Sequence, residues 1–180
     1  AELSGSYNSA VLGKSLLQEE NPGKQIYVFN SKSASVGQSL IAMKIQECEE
    51  AGYSFEKVIE TVEAYIADQH TFFVLDNLET LRKNGRLSKV KALVASALKI
   101  KPLITLKEGE IFNSGITRNR LKSMKKVVDM TREYLDEVNA KPGEYSFCIG
   151  YGYDHNEALE FREMLKDLVK ERLGIDEIGI

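Results

Sequence analysis

Residues 100–117 read IKPLITLKEGEIFNSGIT, and this stretch decides the fold class. Two apolar runs, Pro102–Leu106 and Ile111–Thr117, flank the polar tetrapeptide Lys107-Glu108-Gly109-Glu110. Extended runs on either side of a short glycine-bearing turn predict a β-hairpin. Downstream, Leu121–Val138 is a long helix closed by Lys141-Pro142-Gly143, since proline and glycine both interrupt helical geometry. Tyr145–Tyr151 reads as a strand. Asp154 then opens a last helix with Glu157 three residues on, a capping-box spacing, and Gly174 ends it. Ile175–Ile180 would be a final strand. Upstream, Ser88 caps a helix over Val90–Lys99. Leu78–Lys83 is a short helix with Gly85 just past its end, and Thr71–Leu75 is a strand. Earlier still, Ser6–Glu20 spaces Ala10, Val11, Leu12, Leu16 and Leu17 as an amphipathic helix should. Asn21-Pro22-Gly23 stops it, and Gln25–Phe29 is a short apolar strand. Ser31–Ser35 leads into a helix over Val36–Glu50, which Ala51-Gly52 stops. Ser54 caps a third helix, Phe55–Asp68.

The class is therefore α/β. Strand–helix alternation up to about residue 70 predicts an incomplete α/β/α-layered N-terminal part. The hairpin predicts a second domain, 71–180, with a mixed sheet covered by helices. The last residues, Ile178-Gly179-Ile180, look like the middle of an element, and the first run straight into a helix. Both ends are expected to be cuts in a longer protein, which leaves 1–70 as the remainder of one domain and 71–180 truncated at its end.

Composition narrows the function. The chain has 180 residues, 43% hydrophobic and 28% charged, with net charge -3. That acidic balance gives no electrostatic ground for a nucleic-acid partner. No apolar run is long enough to span a bilayer. Cys48 and Cys148 form no metal or redox spacing and read as reduced, buried small side chains. Two histidines, His70 and His155, leave no His-rich metal site and no credible Ser-His-Asp set. These features suit a cytoplasmic protein without a metal or cofactor.

Several segments could carry chemistry, and each has a plainer reading. Leu3-Ser4-Gly5-Ser6-Tyr7 runs into a helix start. There, hydroxyls, free N–H groups and the positive end of the dipole can converge on an anion; a plain Ser N-cap is the simpler account. Asn30–Gly37, reading NSKSASVG, repeats the theme after a strand, where open α/β sheets place ligands, and a turn with a cap is the alternative. Lys32 there belongs to no phosphate-loop pattern. In Leu75–Ser88, Leu75, Leu78, Leu81 and Leu87 point inward, Asp76 and Asn77 stand where a cap is needed, and Arg82 and Arg86 can pair with Asp76 or Glu79. Arg118, Arg120, Lys122, Lys125 and Lys126 form a basic run, either a solvated face or a surface for an acidic or nucleotide-bearing partner.

Together these segments resemble the DegV family. Residues 3–10, LSGSYNSA, are similar to its L-S-G-T-Y-x-S-A motif, with Ser6 at the Thr position. NSKSASVG resembles its D-S-K-x-x-S-x-G loop, with Asn30 at the Asp position. Residues 73–88, FVLDNLETLRKNGRLS, resemble F-x-L-x-x-L-x-x-L-x-K-G-G-R-I-S, with Asn84 at the first Gly. Ile100-Lys101-Pro102 and the basic run after Thr117 fit the family's I-K-P and R-x-R-K-K-A segments.

The resemblance implies a two-domain fold that binds a long-chain fatty acid by its carboxylate and, as a bacterial accessory protein and not an enzyme, presents it to a partner fatty-acid kinase. It implies a carboxylate site at Ser4, Gly5 and Ser6, a pocket loop holding Ser31 and Ser35, and partner-facing basic residues Arg118, Arg120 and Lys122. The family's T-S-Q-P-S and H-x-G-P-G motifs, which also touch the carboxylate, are not in this sequence. Tyr151 stands where many members have His. Two other functions stay open: an interaction module that has lost its ligand, and a small-molecule phosphotransferase related to dihydroxyacetone kinases.

Overall fold

The computed structural model describes residues 4–86 and 100–180. The elements run α1 (Ser6–Glu20), α2 (Val36–Glu50), α3 (Phe55–Ala67), β1 (Thr71–Val74), α4 (Glu79–Lys83), β2 (Lys101–Lys107), β3 (Glu110–Thr117), α5 (Arg120–Glu137) and α6 (His155–Leu173). The chain is α/β, as the alternating pattern predicts. It divides into two compact units: Ala1–Thr71 with Leu106–Phe112, and Phe72–Thr105 with Asn113–Ile180.

The first unit is built on α2 and α3. Ile41 and Cys48, seven residues apart, share one face of α2, and Val62 and Ile66 share one face of α3. These four are buried together, with Phe29, Ile45, Val58 and Tyr65 packed around them. Ser54 starts α3 as predicted, its hydroxyl accepting from the Lys57 amide at 3.2 Å. Helix α1 has its predicted bounds but buries none of its residues. Leu12, Leu16 and Leu17 are 63%, 56% and 51% exposed, so the apolar side of an amphipathic helix is left uncovered by the described residues.

The second unit carries the larger core. Leu135 of α5 and Ala158, Leu165, Leu168, Val169 and Leu173 of α6 close it, with Ile149 and Ile178 from the connecting stretches. The three-stranded sheet has the order β1-β2-β3. Leu103 and Ile104 are adjacent on the central strand β2 and are 1% and 0% exposed. Neighbouring strand residues point to opposite faces, so both faces are covered there. The β2–β3 turn places Glu108 at φ 52° and Gly109 at φ 81°. Two consecutive positive φ values define the I′ turn whose twist suits a two-residue hairpin, and glycine takes the second without strain. Among the described residues strand β3 is an edge, with Phe112 48% and Ile116 40% exposed. The Gly115 amide donates to the Asn113 side-chain oxygen of the same strand at 3.0 Å.

Helix ends follow the sequence closely. Asp154 accepts from the amides of Asn156 and Glu157 and starts α6, while Gly174, at φ 69°, ends it in the left-handed region. Asn77 accepts from the Glu79 amide at 2.8 Å and opens α4.

Three expected strands are not there. Residues 25–29 form no ladder, and 145–151 and 175–180 are joined by one parallel bridge, Cys148 with Gly179. A strand is defined by its neighbour, and among the described residues these segments find no more pairing than that. The ion pairs match expectation in part: Glu79 takes Arg82 as expected, whereas Asp76 finds other partners. Asp76 meets Lys101 at 2.6 Å and Arg120 at 3.9 Å, while Glu79 takes Lys83 at 3.0 Å and Arg82 at 3.9 Å. Arg86 donates to the carbonyl of Asn84. The expected Ser88 cap, the helix over Val90–Lys99 and Leu87 lie outside the described residues. Both cysteines are free thiols; Cys48 is buried and Cys148 half-buried.

Candidate functional site

The first unit contains a cleft of about 440 Å³ lined by the start of α1, by residues 28–34, and by Gln38 and Gly109. Its floor on one side is apolar, from Ala10, Val28 and Phe29. That volume is within the usual range for small-ligand sites.

At its polar edge, Ser4 and Ser6 stand together. Their hydroxyl oxygens are 2.8 Å apart, and either can be the donor. The Ser4 hydroxyl also accepts from the Ser6 amide at 3.2 Å. Two hydroxyls have two protons and share one bond, so one O–H is always left to point elsewhere. Gly5 is the N-cap of α1 and makes no side-chain cap of its own, while Ser4 takes only the first amide, that of Ser6. The free N–H groups of that first turn, and the positive end of the dipole, add to the donor character. Ser9 is spent inside the helix, donating through its hydroxyl to the Gly5 carbonyl at 3.2 Å. Both Ser4 and Ser6 line the cleft; Gly5 between them does not.

The second side of the cleft is the loop before α2. Asn30 accepts from the Lys32 amide at 3.3 Å. The Ser31 hydroxyl accepts from the Ser33 amide at 3.4 Å and donates to the Ser33 carbonyl at 3.1 Å. Such side-chain turns let non-glycine residues hold unusual backbone angles. Lys32 has φ 47°, and Ser35 has φ 52° with ψ -125°. The Gly37 amide donates to the Ala34 carbonyl at 3.2 Å, closing a turn whose second residue is Ser35. Glycine favours that position, so Ser35 holds a backbone strain on the order of 1–3 kcal/mol. Ser31 lines the cleft, whereas Ser35 does not and makes no side-chain cap to α2.

Gly37 is fixed by space. A Cβ there would overlap the Ser33 hydroxyl oxygen and stand 2.9 Å from Gln69 Oε1. Gln69 donates from Nε2 to the Gly37 carbonyl at 2.9 Å. The Ser33 hydroxyl oxygen and Gln69 Oε1 are buried and have no hydrogen-bond partner among the described residues.

The basic run belongs to the second unit. Asn119 accepts from the Lys122 amide at 3.2 Å and starts α5. Arg120 is held by Glu157 through two 2.6 Å bonds, from Nε and from a terminal nitrogen. Such a fork fixes its guanidinium as a clamp between α5 and α6. Arg118 and Lys122 are exposed and pair with no carboxylate among the described residues. The sequence reading passed over Tyr7, Val28, Phe29 and Gln38 as lining residues. Tyr7 closes the LSGSY motif and the other three lie outside any motif, so only the folded backbone brings all four to one hollow.

Among the described residues, no group of three or more His, Cys, Asp or Glu is placed to hold a metal ion, and no helix is long and apolar enough to cross a membrane.

A model of the DegV family of uncharacterised proteins matches residues 1–180. A crystal structure of a DegV-family protein from Ruminococcus gnavus, with vaccenic acid, is 46% identical and superposes with a TM-score of 0.81 over 99% of this chain and 61% of its own. A stearic acid-binding protein from Eubacterium ventriosum is 35% identical, with a TM-score of 0.84 over 100% of this chain and 62% of its own. The fatty acid kinase (Fak) B3 protein of Streptococcus pneumoniae, loaded with linoleic acid, is 26% identical, with a TM-score of 0.69 over 98% of this chain and 59% of its own. The chain spans about three-fifths of the length of these structures and of the first curated relative it matches.

Proposed function

We propose, on the premise that this chain belongs to the DegV family, that it is part of a carrier that holds a long-chain fatty acid by its carboxylate. The observation that carries this reading is the hydroxyl pair Ser4–Ser6, beside a helix start with glycine at its N-cap and an apolar floor in one cleft. The spare O–H and the first-turn amides receive the carboxylate, and Ser31 on the facing loop stands beside it. Ala10, Val28 and Phe29 begin the apolar path for the tail. Each buried methylene contributes on the order of 0.8 kcal/mol, so the tail supplies most of the affinity and the head fixes the orientation. Gly5 serves by its backbone, and Ser35 by shaping the loop.

The solved relatives holding vaccenic, stearic and linoleic acids support the ligand class. The Fak B3 relative supports a further step, in which the carrier presents its acid to a cytoplasmic kinase and does no chemistry itself. In that step Arg118 and Lys122 offer their free charge to the partner, while Arg120 shapes the surface from its clamp on Glu157.

Native mass spectrometry of the chain mixed with palmitate tests the binding. One acyl adduct is expected, and Ser4→Ala should weaken it by roughly 1–3 kcal/mol, because a charged head loses a donor. Absence of any adduct in the wild type refutes the reading; unchanged affinity in the variant removes Ser4 from the site.

A further inference from the structure

Among the described residues, Lys32 is the one charged residue lining the cleft, and no carboxylate residue lines it. Several other lysines stand beside a carboxylate. Lys44, Lys57, Lys83, Lys101, Lys166 and Lys170 each have a carboxylate oxygen within 3.0 Å. Lys32 forms no ion pair with any described residue.

The backbone holds this lysine in place at a cost. Its φ of 47° lies in the left-handed region, uncommon for a residue with a side chain. Asn30 on its own amide and Ser31 on the next secure the turn. Gly109 at the hairpin tip packs beside it at ordinary contact distance: a Cβ there would stand 3.5 Å from the Lys32 Cα. A lysine without an ion pair is thus held at the wall of a cleft whose other polar groups are hydroxyls and amides.

Hydroxyls and amides alone discriminate poorly between heads. An alcohol or an ester can also use a free O–H or N–H. A fixed positive charge separates them, because only an ionised head gains from it. We infer that Lys32 is the counter-charge of the cleft and makes it select a fatty carboxylate over a neutral head on the same chain. This inference rests on the fatty-acid reading above and names the residue that sets its head-group specificity.

The test is equilibrium dialysis of radiolabelled palmitate and hexadecanol against the wild-type chain, Lys32→Met and Lys32→Arg, at low and high sodium chloride. The methionine variant should lose about ten-fold or more of its palmitate affinity and bind hexadecanol within about two-fold of wild type. The arginine variant should keep the palmitate preference. Salt should weaken palmitate binding in the wild type and leave the methionine variant nearly unchanged. A methionine variant that binds palmitate as the wild type does, or loses both ligands together, overturns the role of Lys32. A wild type that binds neither ligand overturns the fatty-acid reading itself, a result distinct from one in which palmitate binds without help from Lys32.

Discussion

Replacing Gly37 by alanine tests how tightly the loop before α2 is packed. On an open helix surface this change stabilises by up to about 1 kcal/mol, since alanine is the better helix former. Here the new methyl would overlap the Ser33 hydroxyl oxygen and stand 2.9 Å from Gln69 Oε1 and 3.0 Å from Ser33 Cβ. Either Ser33 leaves its rotamer, at about 0.5–1.5 kcal/mol, or the first turn of α2 retreats. The retreat stretches the 2.9 Å bond from Gln69 Nε2 to the Gly37 carbonyl, worth roughly 0.5–1.5 kcal/mol. Overpacking of this kind costs about 1–3 kcal/mol in all, so the balance is a loss of about 1–2 kcal/mol. The chain has no Trp, so far-UV circular dichroism in urea is the assay. The midpoint should fall with an unchanged slope. Adding Ser33→Gly removes the overlapping atoms and should restore most of the loss, with a coupling of about 1 kcal/mol. A Gly37→Ala protein as stable as wild type, with no coupling to Ser33, would refute the packing argument.

Two further outcomes follow from local geometry. Ser35→Gly relieves a backbone position that glycine favours and loosens the unfolded chain, so a net gain of roughly 0.5–2 kcal/mol is expected in urea titration; a loss would mean the serine side chain holds the turn. The ammonium of Lys101, bonded to Asp76, holds that carboxyl below its ordinary value, with Arg120 adding to the effect. A depressed folded value means that the stabilisation is complete above the unfolded carboxyl's pKa, about 3.9, and is lost as pH falls through the folded one. Asp76→Asn should therefore flatten the acid limb of stability against pH below about pH 4, and an identical limb would refute the pairing.

Local signals were legible and pairing was not. The bounds of α1 and α2, the hairpin turn at Glu108-Gly109, and the Asp154 and Gly174 ends of α6 each depend on residues within a few positions of one another. Residues 25–29 show the same apolar run as β1, yet one is a strand and the other is not, because a ladder needs a neighbour that no local pattern reveals. Local sequence pairs Asp76 with nearby arginines, but its strongest partner is Lys101, 25 positions on. The candidate cleft was half readable. Ser4, Ser6 and Ser31 stand out as polar motif residues, while Lys32 belongs to no phosphate-loop pattern. Its importance comes from the company it keeps in space.

Among the described residues strand β3 closes the sheet on one side, and no ionic side chain stands between Phe112 and Ile116 to ward off a visitor. A border like this invites a second molecule to lay its own backbone alongside, the usual first step toward insoluble aggregates. The Asn113 carboxamide already occupies the Gly115 amide, so one rung that a newcomer would need is filled from within. A single polar side chain thus acts as a doorstop, and its presence bears directly on how concentrated this molecule can become before it sticks to itself.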